Sequence, residues 1–492
     1  MSRIRDMGVP GFSWASVDEF VNRTSELARL EDWWSSSSRQ PLAMLGRRRV
    51  GKSWLFRRFA HGKPAVVLVA DQLPLATQLA RFADVMEPVL GLRPQLSSIG
   101  DLVRVLYRTA ASERLLVVID EFPYLLGSSA NEVAALSSEV QAVMEDERDR
   151  SSLKLLVCGS QVGQMEAMFG KRNPLHGRLE RLEVQPLTYR ESFGLLSGLA
   201  DPVARFERYC ISGGMPMYLS RLGSRSLREA VCREVLDRFA PLRDEGRAVV
   251  EQELREPRVY FAVLERLARG PQQVNEVAQH AGVDASRASK YLSVLTDLRL
   301  VSRSAPIGAG PDSRAGRWQL DDPFLRFWFR FVFPHQGDLD GGAAPADLFD
   351  AVIKPGIADH CAPVFEQWAL DWLRANRPGT AVNWGRWWGN AANAYRRNNE
   401  RSSEEVDAVG LLGGRVTAVA ECKWTNKPMA PSVLDDIADY KIPALRDAGL
   451  TVLGEPKVIL MCRSGYSPAL VDRAAADERI ELVDVRSALD LR

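Results

Sequence analysis

Uninterrupted apolar runs alternate with stretches of helical spacing through the first part of the chain. Pro41–Leu45, Ala65–Ala70, Leu115–Ile119, Leu153–Cys158 and Leu182–Leu187 read as five strands. Runs without polar alternation belong to strands covered on both faces, and intervening helices such as Lys52–Ala60 supply the cover. The pattern predicts a parallel α/β sheet, in which ligands gather at the carboxyl ends of strands. Gly46, Asp120 and Ser160 each follow such an end. A helix is predicted from Phe20-Val-Asn-Arg23 onward, with Glu26 and Leu30 at helical spacing and a polar break at Ser35–Ser38. Residues 1–17 read as a flexible lead-in.

The pattern then changes. From Tyr189 to about Ala248 it is helical, interrupted at Gly213-Gly214-Met215-Pro216. Three amphipathic helices follow at Val259–Ala268, Val274–Ala281 and Ala285–Leu298. A strand at Val301–Ser304, a loop at Ile307–Gly316 and a strand at Arg317–Leu320 complete a predicted winged helix-turn-helix. Asp321–Phe331 places aromatic rings at near-helical spacing and is expected to dock the next domain; 337–345 reads as a linker. In the last domain, Glu405–Leu412 and Val416–Trp424 read as strands joined through Gly413-Gly414.

A chain of 492 residues exceeds one ordinary core and implies about two to four domains. The expected boundaries are 18–190, 191–250, 255–335 and 346–492. Hydrophobic content of 46% and charged content of 26% suit a soluble globular protein. A net charge of +1 gives no global signature of nucleic-acid binding, so any basic surface must be local. The six cysteines lack CxxC spacing and read as reduced thiols. No apolar run approaches membrane-spanning length and no signal-peptide core is present, so the expected compartment is cytoplasmic.

Gly46-Arg47-Arg48-Arg49-Val50-Gly51-Lys52-Ser53 fits the phosphate-binding loop, with Trp54 continuing into the helix. Glycines let the backbone curl its N–H groups toward phosphate, and the helix N-terminus adds its positive end. Lys52 is expected to reach the β- and γ-phosphates of ATP, and Ser53 to hold Mg²⁺. Asp120 is expected to hold Mg²⁺ through its water shell, Glu121 to polarise the attacking water, and Ser160 or Gln161 to sense the γ-phosphate. Arg178 and Arg181 stand either as an arginine finger for a neighbouring subunit or as a surface salt bridge.

Phe20-Val-Asn-Arg23, Gly46–Ser53, Asp120-Glu-Phe-Pro-Tyr124, Gly159-Ser160 and Gly213-Gly-Met-Pro216 resemble the archaeal-type ATPase family, a branch of the AAA+ and STAND-like P-loop NTPases. The resemblance covers roughly residues 18–250. It implies that Arg23 lies near the adenine side of the pocket and that Pro216 belongs to a small helical lid.

In the candidate recognition helix, Leu292, Leu295 and Leu298 form an apolar stripe, which leaves Ser286, Arg287 and Lys290 for a DNA groove. Arg303, Arg314 and Arg317 flank the wing, where phosphate contacts are natural. The alternative is a winged helix used only for protein packing.

Strand side chains alternate, so Glu421 and Lys423 share one face and Cys422 takes the other; Asp407 on the neighbouring strand joins the first. Two carboxylates and a lysine suit Mg²⁺-dependent phosphodiester hydrolysis, or a structural ion pair. The spacing resembles the PD-(D/E)XK nuclease superfamily, with its restriction-endonuclease-like fold. That resemblance implies metal ligation by Glu366, Asp407 and Glu421. Val406 stands where the superfamily has proline. The family that joins this domain to the archaeal-type ATPase also carries the signature matched at Asp322–Trp328. Trp384 is expected in the core, while Trp387, Trp388, Arg396 and Arg397 are left between core and nucleic-acid contact.

The expected protein is therefore a multidomain α/β chain with a P-loop AAA+-like parallel sheet and helical lid, a winged helix-turn-helix and a restriction-endonuclease-like domain. It is expected to bind ATP, Mg²⁺ and double-stranded DNA, to assemble as a homo-oligomer, and to serve defence or DNA processing. The alternatives are a nucleotide-dependent switch with an inactive nuclease fold, and a DNA-binding regulator.

Overall fold

The computed structural model describes residues 21–127, 129–223, 225–254, 257–310, 313–397 and 401–490. Phe20 and the lead-in at 1–17 lie outside these residues. The chain divides into two compact units, Met1–Gly194 with Met215–Met217, and Leu195–Gly214 with Tyr218–Arg492. The segment expected as a lid at 191–250 thus belongs mostly to the second unit, and only its Met215–Met217 turn falls in the first.

The first unit holds a five-stranded parallel sheet: β1 (Leu42–Leu45), β2 (Ala65–Val69), β3 (Leu115–Asp120), β4 (Leu153–Gly159) and β5 (Glu180–Glu183), in the order β2-β3-β4-β1-β5. Every residue of β1 and β4 is buried, as expected of strands sandwiched by helices. One face packs Ala43, Leu68, Val117 and Leu155 against Leu79, Phe82, Leu102 and Leu106. The fifth strand lies earlier than the expected Leu182–Leu187. Among the described residues it pairs with β1 alone, and the ladder closes where the Val184 amide donates to the Leu45 carbonyl. An edge strand tolerates the charged Glu180, Arg181 and Glu183, which hid it from an apolar reading.

The second unit begins with helices, among them Pro202–Ser212, and continues into helices Pro257–Ala268, Val274–Ala281 and Ala285–Asp297. Strands β6 (Val301–Ser304) and β7 (Arg317–Leu320) form the antiparallel wing. The expected linker at 337–345 is largely helical: turns at Gln336–Asp340 and from Pro345 bracket a short Gly-Gly-Ala-Ala piece. The long helix Lys354–Asn376 then packs on a mixed sheet. That sheet comprises β8 (Asn383–Asn390), β9 (Ser403–Leu412), β10 (Arg415–Lys423), β11 (Val452–Cys462) and β12 (Ile480–Val483), in the order β12-β11-β10-β9-β8. Antiparallel pairing of β8, β9 and β10 gives way to parallel pairing of β10, β11 and β12. Gly413 and Gly414 both take positive φ, 57° and 77°, as a tight hairpin turn matched to strand twist requires. Trp384, Trp387 and Trp388 are all buried. No helix among the described residues is long and apolar enough to cross a membrane.

The aromatic segment after the wing is a structural key of the second unit. Trp328 is fully buried, its indole donates to the Arg243 carbonyl at 2.7 Å, and its ring lies flat on Gly246. A Cβ at Gly246 meets that ring at 2.3 Å. Gly246→Ala is expected to destabilise the second unit by about 1–3 kcal/mol through overpacking, read as a lower denaturant midpoint of the intact protein. An unchanged midpoint contradicts this packing.

Candidate functional site

Two clusters of charged side chains stand on the sheets, one in each unit. In the first, β1 delivers Gly46 so close to β5 that a Cβ there lies 2.6 Å from the Val184 carbonyl oxygen, which excludes any larger residue. The loop turns through left-handed conformations at Arg49 (φ 66°) and Gly51 (φ 97°) and enters the helix at Lys52. Lys52 is buried and folds back on its own loop, donating to the carbonyls of Gly46 at 2.5 Å and Arg47 at 3.1 Å. The side chains of Arg48, Arg49 and Trp54 reach solvent.

Ser53 donates to Asp120 Oδ2 at 3.2 Å, so the helix start and the end of β3 meet. Burial, together with neighbouring Glu121, raises the Asp120 carboxyl above its ordinary range. An oxygen pair made of a hydroxyl and a desolvated carboxylate fits Mg²⁺, a hard cation that favours oxygen ligands. Glu121 sits at a strained positive φ of 55° and accepts the Ser160 amide at 2.9 Å. Arg48 Nε lies 3.4 Å from Ser160 Oγ, so residues from the ends of β1, β3 and β4 converge.

Arg23 is buried and donates to Val50 O at 2.7 Å, to Gln185 O at 2.5 Å and to Glu26. These contacts tie the phosphate loop to the segment after β5. The geometry is that of a clamp on the loop's backbone. Pro216 lies over the loop from the Met215–Met217 turn, its Cγ 3.6 Å from a Cβ position on Gly51. Arg178 pairs with Glu145 at 2.6 Å and Arg181 with Glu166 at 2.5 Å, both within the same unit, which is the surface ion-pair arrangement.

The second cluster lies on β9 and β10. Register pairs Ala408 with Ala420, so the preceding Asp407 and following Glu421 stand opposite each other on one face. Lys423 Nζ is 2.6 Å from Glu421 Oε1 and 4.0 Å from Asp407 Oδ2, while the Cys422 amide donates to Asp407 at 2.8 Å. Burial, and then the charges of Glu421 and Glu366, push the Asp407 carboxyl up to about 7. Burial opposes charge on Lys423, but Glu421 and Asp407 outweigh it and hold the ammonium above the usual lysine range.

Glu366, on the helix Lys354–Asn376, is 3.4 Å from Arg386 of β8, and burial raises its carboxyl. Among the described residues, no three His, Cys, Asp or Glu side chains are gathered as a ready metal cage. Asp407 and Glu421 are nonetheless an oxygen pair that fits a divalent cation, and Glu421 Oε2 is buried without a hydrogen bond of good geometry. One residue of this cluster escapes the sequence reading: Lys441 lies 3.0 Å from Glu421 Oε2. Its signal is a lysine set among Ile437, Ala444 and Leu445 at helical spacing.

The helix-turn-helix exposes Ser286, Arg287 and Lys290, while Ala288, Leu292 and Leu295 face inward. The wing is engaged elsewhere in the same unit. Ile307 N donates to Arg386 O at 2.8 Å, Trp388 Nε1 donates to Ala315 O at 2.7 Å, and Arg317 pairs with Glu405 and covers the Trp388 ring. Arg303 donates to Ser313 O at 2.6 Å. Of the three wing arginines expected at phosphates, Arg317 is thus turned to protein, whereas Arg303, though bonded to Ser313 O, and Arg314 are exposed. Arg396 and Arg397 are exposed.

Arg23→Met leaves two carbonyls without their buried donor, at a cost of about 1–3 kcal/mol. A lower unfolding midpoint without nucleotide, together with weaker ATP binding in a fluorescent-analogue titration, is expected of a clamp. Weaker binding at an unchanged midpoint is the result expected of a residue that touches the base alone.

Comparison with known proteins agrees with this layout. A family model described as AAA domain matches residues 38–193. One described as IclR helix-turn-helix domain matches 259–305, and one described as archaea bacterial proteins of unknown function matches 328–433. The uncharacterized protein MJECL04 of Methanocaldococcus jannaschii is 25% identical over 420 residues, spanning 83% of this chain and 88% of that protein. Among solved structures, a Walker-type ATPase of Pyrococcus abyssi is 19% identical with a TM-score of 0.47, covering 64% of this chain and 97% of the other. The Aeropyrum pernix ORC2 protein is 17% identical with a TM-score of 0.42, covering 73% and 98%. By the family matches, the chain carries an AAA-type P-loop ATPase domain and an IclR-type helix-turn-helix region, followed by a C-terminal α/β sheet domain.

Proposed function

We propose that this protein binds and hydrolyses ATP and acts on duplex DNA, which it cleaves at the Asp407, Glu421 and Lys423 site. The observation that carries the reading is the second cluster: two desolvated carboxylates opposed across a strand pair, with an ammonium 2.6 Å from one of them. A carboxylate pair beside a lysine serves phosphodiester hydrolysis because the carboxylates hold a divalent ion and the lysine orients water or the phosphate.

At the P-loop, Lys52 exchanges the carbonyls of Gly46 and Arg47 for the β- and γ-phosphates. Ser53 and Asp120 would hold Mg²⁺. Glu121, tethered to the Ser160 amide, orients the attacking water, and Ser160 with Arg48 faces the γ-phosphate. When bound, the metal ions at both sites neutralise charge that builds on phosphate oxygens. In the second unit, Asp407 and Glu421 would be the ligands. Glu366 stands behind them on its helix, paired with Arg386. Ser286, Arg287 and Lys290 meet DNA from the exposed face of the recognition helix.

A second reading, a nucleotide-dependent switch with an inactive nuclease fold, is favoured by one observation: Lys423 and Lys441 together already balance the charge of Asp407 and Glu421. The two readings part on chemistry. Wild-type protein incubated with linear, circular and single-stranded DNA, with Mg²⁺ or Mn²⁺ and with or without ATP, is expected to cleave. Lys423→Ala is expected to lose cleavage by about 100-fold or more while ATP turnover persists. Glu121→Gln is expected to lose ATP turnover by about 100-fold or more while still binding ATP. Intact DNA in every wild-type reaction, with ATP hydrolysis retained, moves the assignment to the switch.

Arg287→Ala and Lys290→Ala are each expected to reduce the slope of log affinity for duplex DNA against log salt by about 1 if they contact phosphate. Slopes identical to wild type remove this helix from the DNA interface.

A further inference from the structure

Lys441 is the one lysine of the second cluster that water hardly reaches. Its side chain is 9% exposed, against 49% for Lys423. Its Nζ donates to the Glu405 backbone carbonyl at 2.5 Å and stands 3.0 Å from Glu421 Oε2 and 3.2 Å from Oε1. The Glu421 carboxylate is therefore held from two sides, by Lys423 at its exposed edge and by Lys441 from within.

Packing does not explain a lysine at this position. Its neighbours on the same helical stretch, Ile437, Ala444 and Leu445, are buried and apolar. Stripping water from a charged pair is costly, and a buried ion pair is often no more stabilising than apolar residues of similar volume in place of both partners. The local backbone also departs from an ordinary helix. Ile437–Lys441 forms a π-helical turn between two α-helical pieces. Such turns widen the helix by one residue and occur often at functional sites. Here the turn ends on Lys441, whose ammonium meets β9 and β10 together.

We propose that Lys441 is a positioning residue of the carboxylate site: anchored on the Glu405 carbonyl, it fixes the Glu421 carboxylate for a divalent cation and releases Lys423 for the scissile phosphate or its water. The proposal rests on the nuclease reading above. It divides labour between the two lysines by their surroundings. The buried Lys441 stays on its carbonyl and keeps its Nζ against Glu421. The half-exposed Lys423 can then leave Glu421 without abandoning a buried negative charge. A ligand held by an outer partner binds metal better than a free one, and losing such a partner commonly lowers metal affinity or activity about 10–100-fold.

The test compares wild type with Lys441→Met, Lys441→Arg and Glu421→Gln in the full-length protein. Mn²⁺ binding without nucleotide is followed by electron paramagnetic resonance, DNA cleavage gives kcat and KM, and thermal unfolding reports on the fold. Lys441→Met is expected to weaken the Glu421-dependent Mn²⁺ binding about tenfold and to lower kcat about tenfold or more, with KM for DNA little changed and the unfolding midpoint lowered by the loss of a buried donor. Lys441→Arg is expected to restore a large part of both. If Lys441→Met does not fold, Lys441→Gln keeps a donor for the Glu405 carbonyl, removes the charge, and should show the same losses. A variant that binds Mn²⁺ and cleaves like wild type overturns the positioning role and leaves the nuclease reading standing. Losses that follow a lowered unfolding midpoint and are not restored by arginine also overturn it. A wild-type protein that neither binds Mn²⁺ through Glu421 nor cleaves DNA overturns the nuclease reading, and the role of Lys441 with it.

Discussion

A carboxylate that leaves water needs a positive charge or a donor nearby, and both sheets of this protein place such carboxylates on their strands. Asp120 closes β3 and is met by the Ser53 hydroxyl, with Lys52 near. Glu421 lies near the end of β10 between Lys423 and Lys441. In each case burial works against the carboxylate charge, and in each case a compensating group arrives from a different element, Ser53 and Lys52 from the P-loop helix and Lys441 from the π-helical turn. The electrostatic demand therefore ties helix to strand: the P-loop helix to β3 in the first unit, and the π-helical turn to β9 and β10 in the second. The same demand explains why these places are suited to metal ions and phosphates, since the protein groups there already manage opposite charges in little water.

The second unit uses its winged helix in an asymmetric way. The recognition helix keeps its polar face open, whereas the wing is spent on the sheet beside it. Ile307 extends backbone pairing to β8, and Trp388 and Arg317 fasten the wing's other strand near Glu405. Glu405 is two residues before Asp407 on β9, so the wing grips the strand that carries the site. The helix Pro202–Ser212 contributes from another side. Its Phe206 packs among Phe365, Trp368 and Trp424, and Trp424 directly follows Lys423. Glu207, next along that helix, pairs with Arg463 at 3.2 Å, and Arg463 covers the Trp424 ring.

This helix leads through Gly213 and Gly214 into Met215–Met217, the short segment that belongs to the P-loop unit and carries Pro216 against Gly51.

Much of this was legible in the residues themselves. The phosphate loop between β1 and its helix, Asp120 at the end of β3, the helix-turn-helix periodicity and the hairpin that faces Asp407 toward Glu421 follow from local rules: strand alternation, glycine at positive φ and apolar spacing. These rules act within a few residues, so the sequence by itself determined them. The tertiary structure alone decided what depends on distant partners. An edge strand of charged residues became β5 only because β1 was there to pair with it. Arg303 and Arg317 looked free for phosphate until Ser313, Glu405 and Trp388 engaged them. Arg23 became a clamp through Val50 and Gln185, which lie far from it in the chain. Lys441 joined the carboxylates because a π-helical turn and two strands met there. Side-chain charge is written in the sequence, but the partner that balances it is chosen by the fold, since burial and distance set the strength of every such pair.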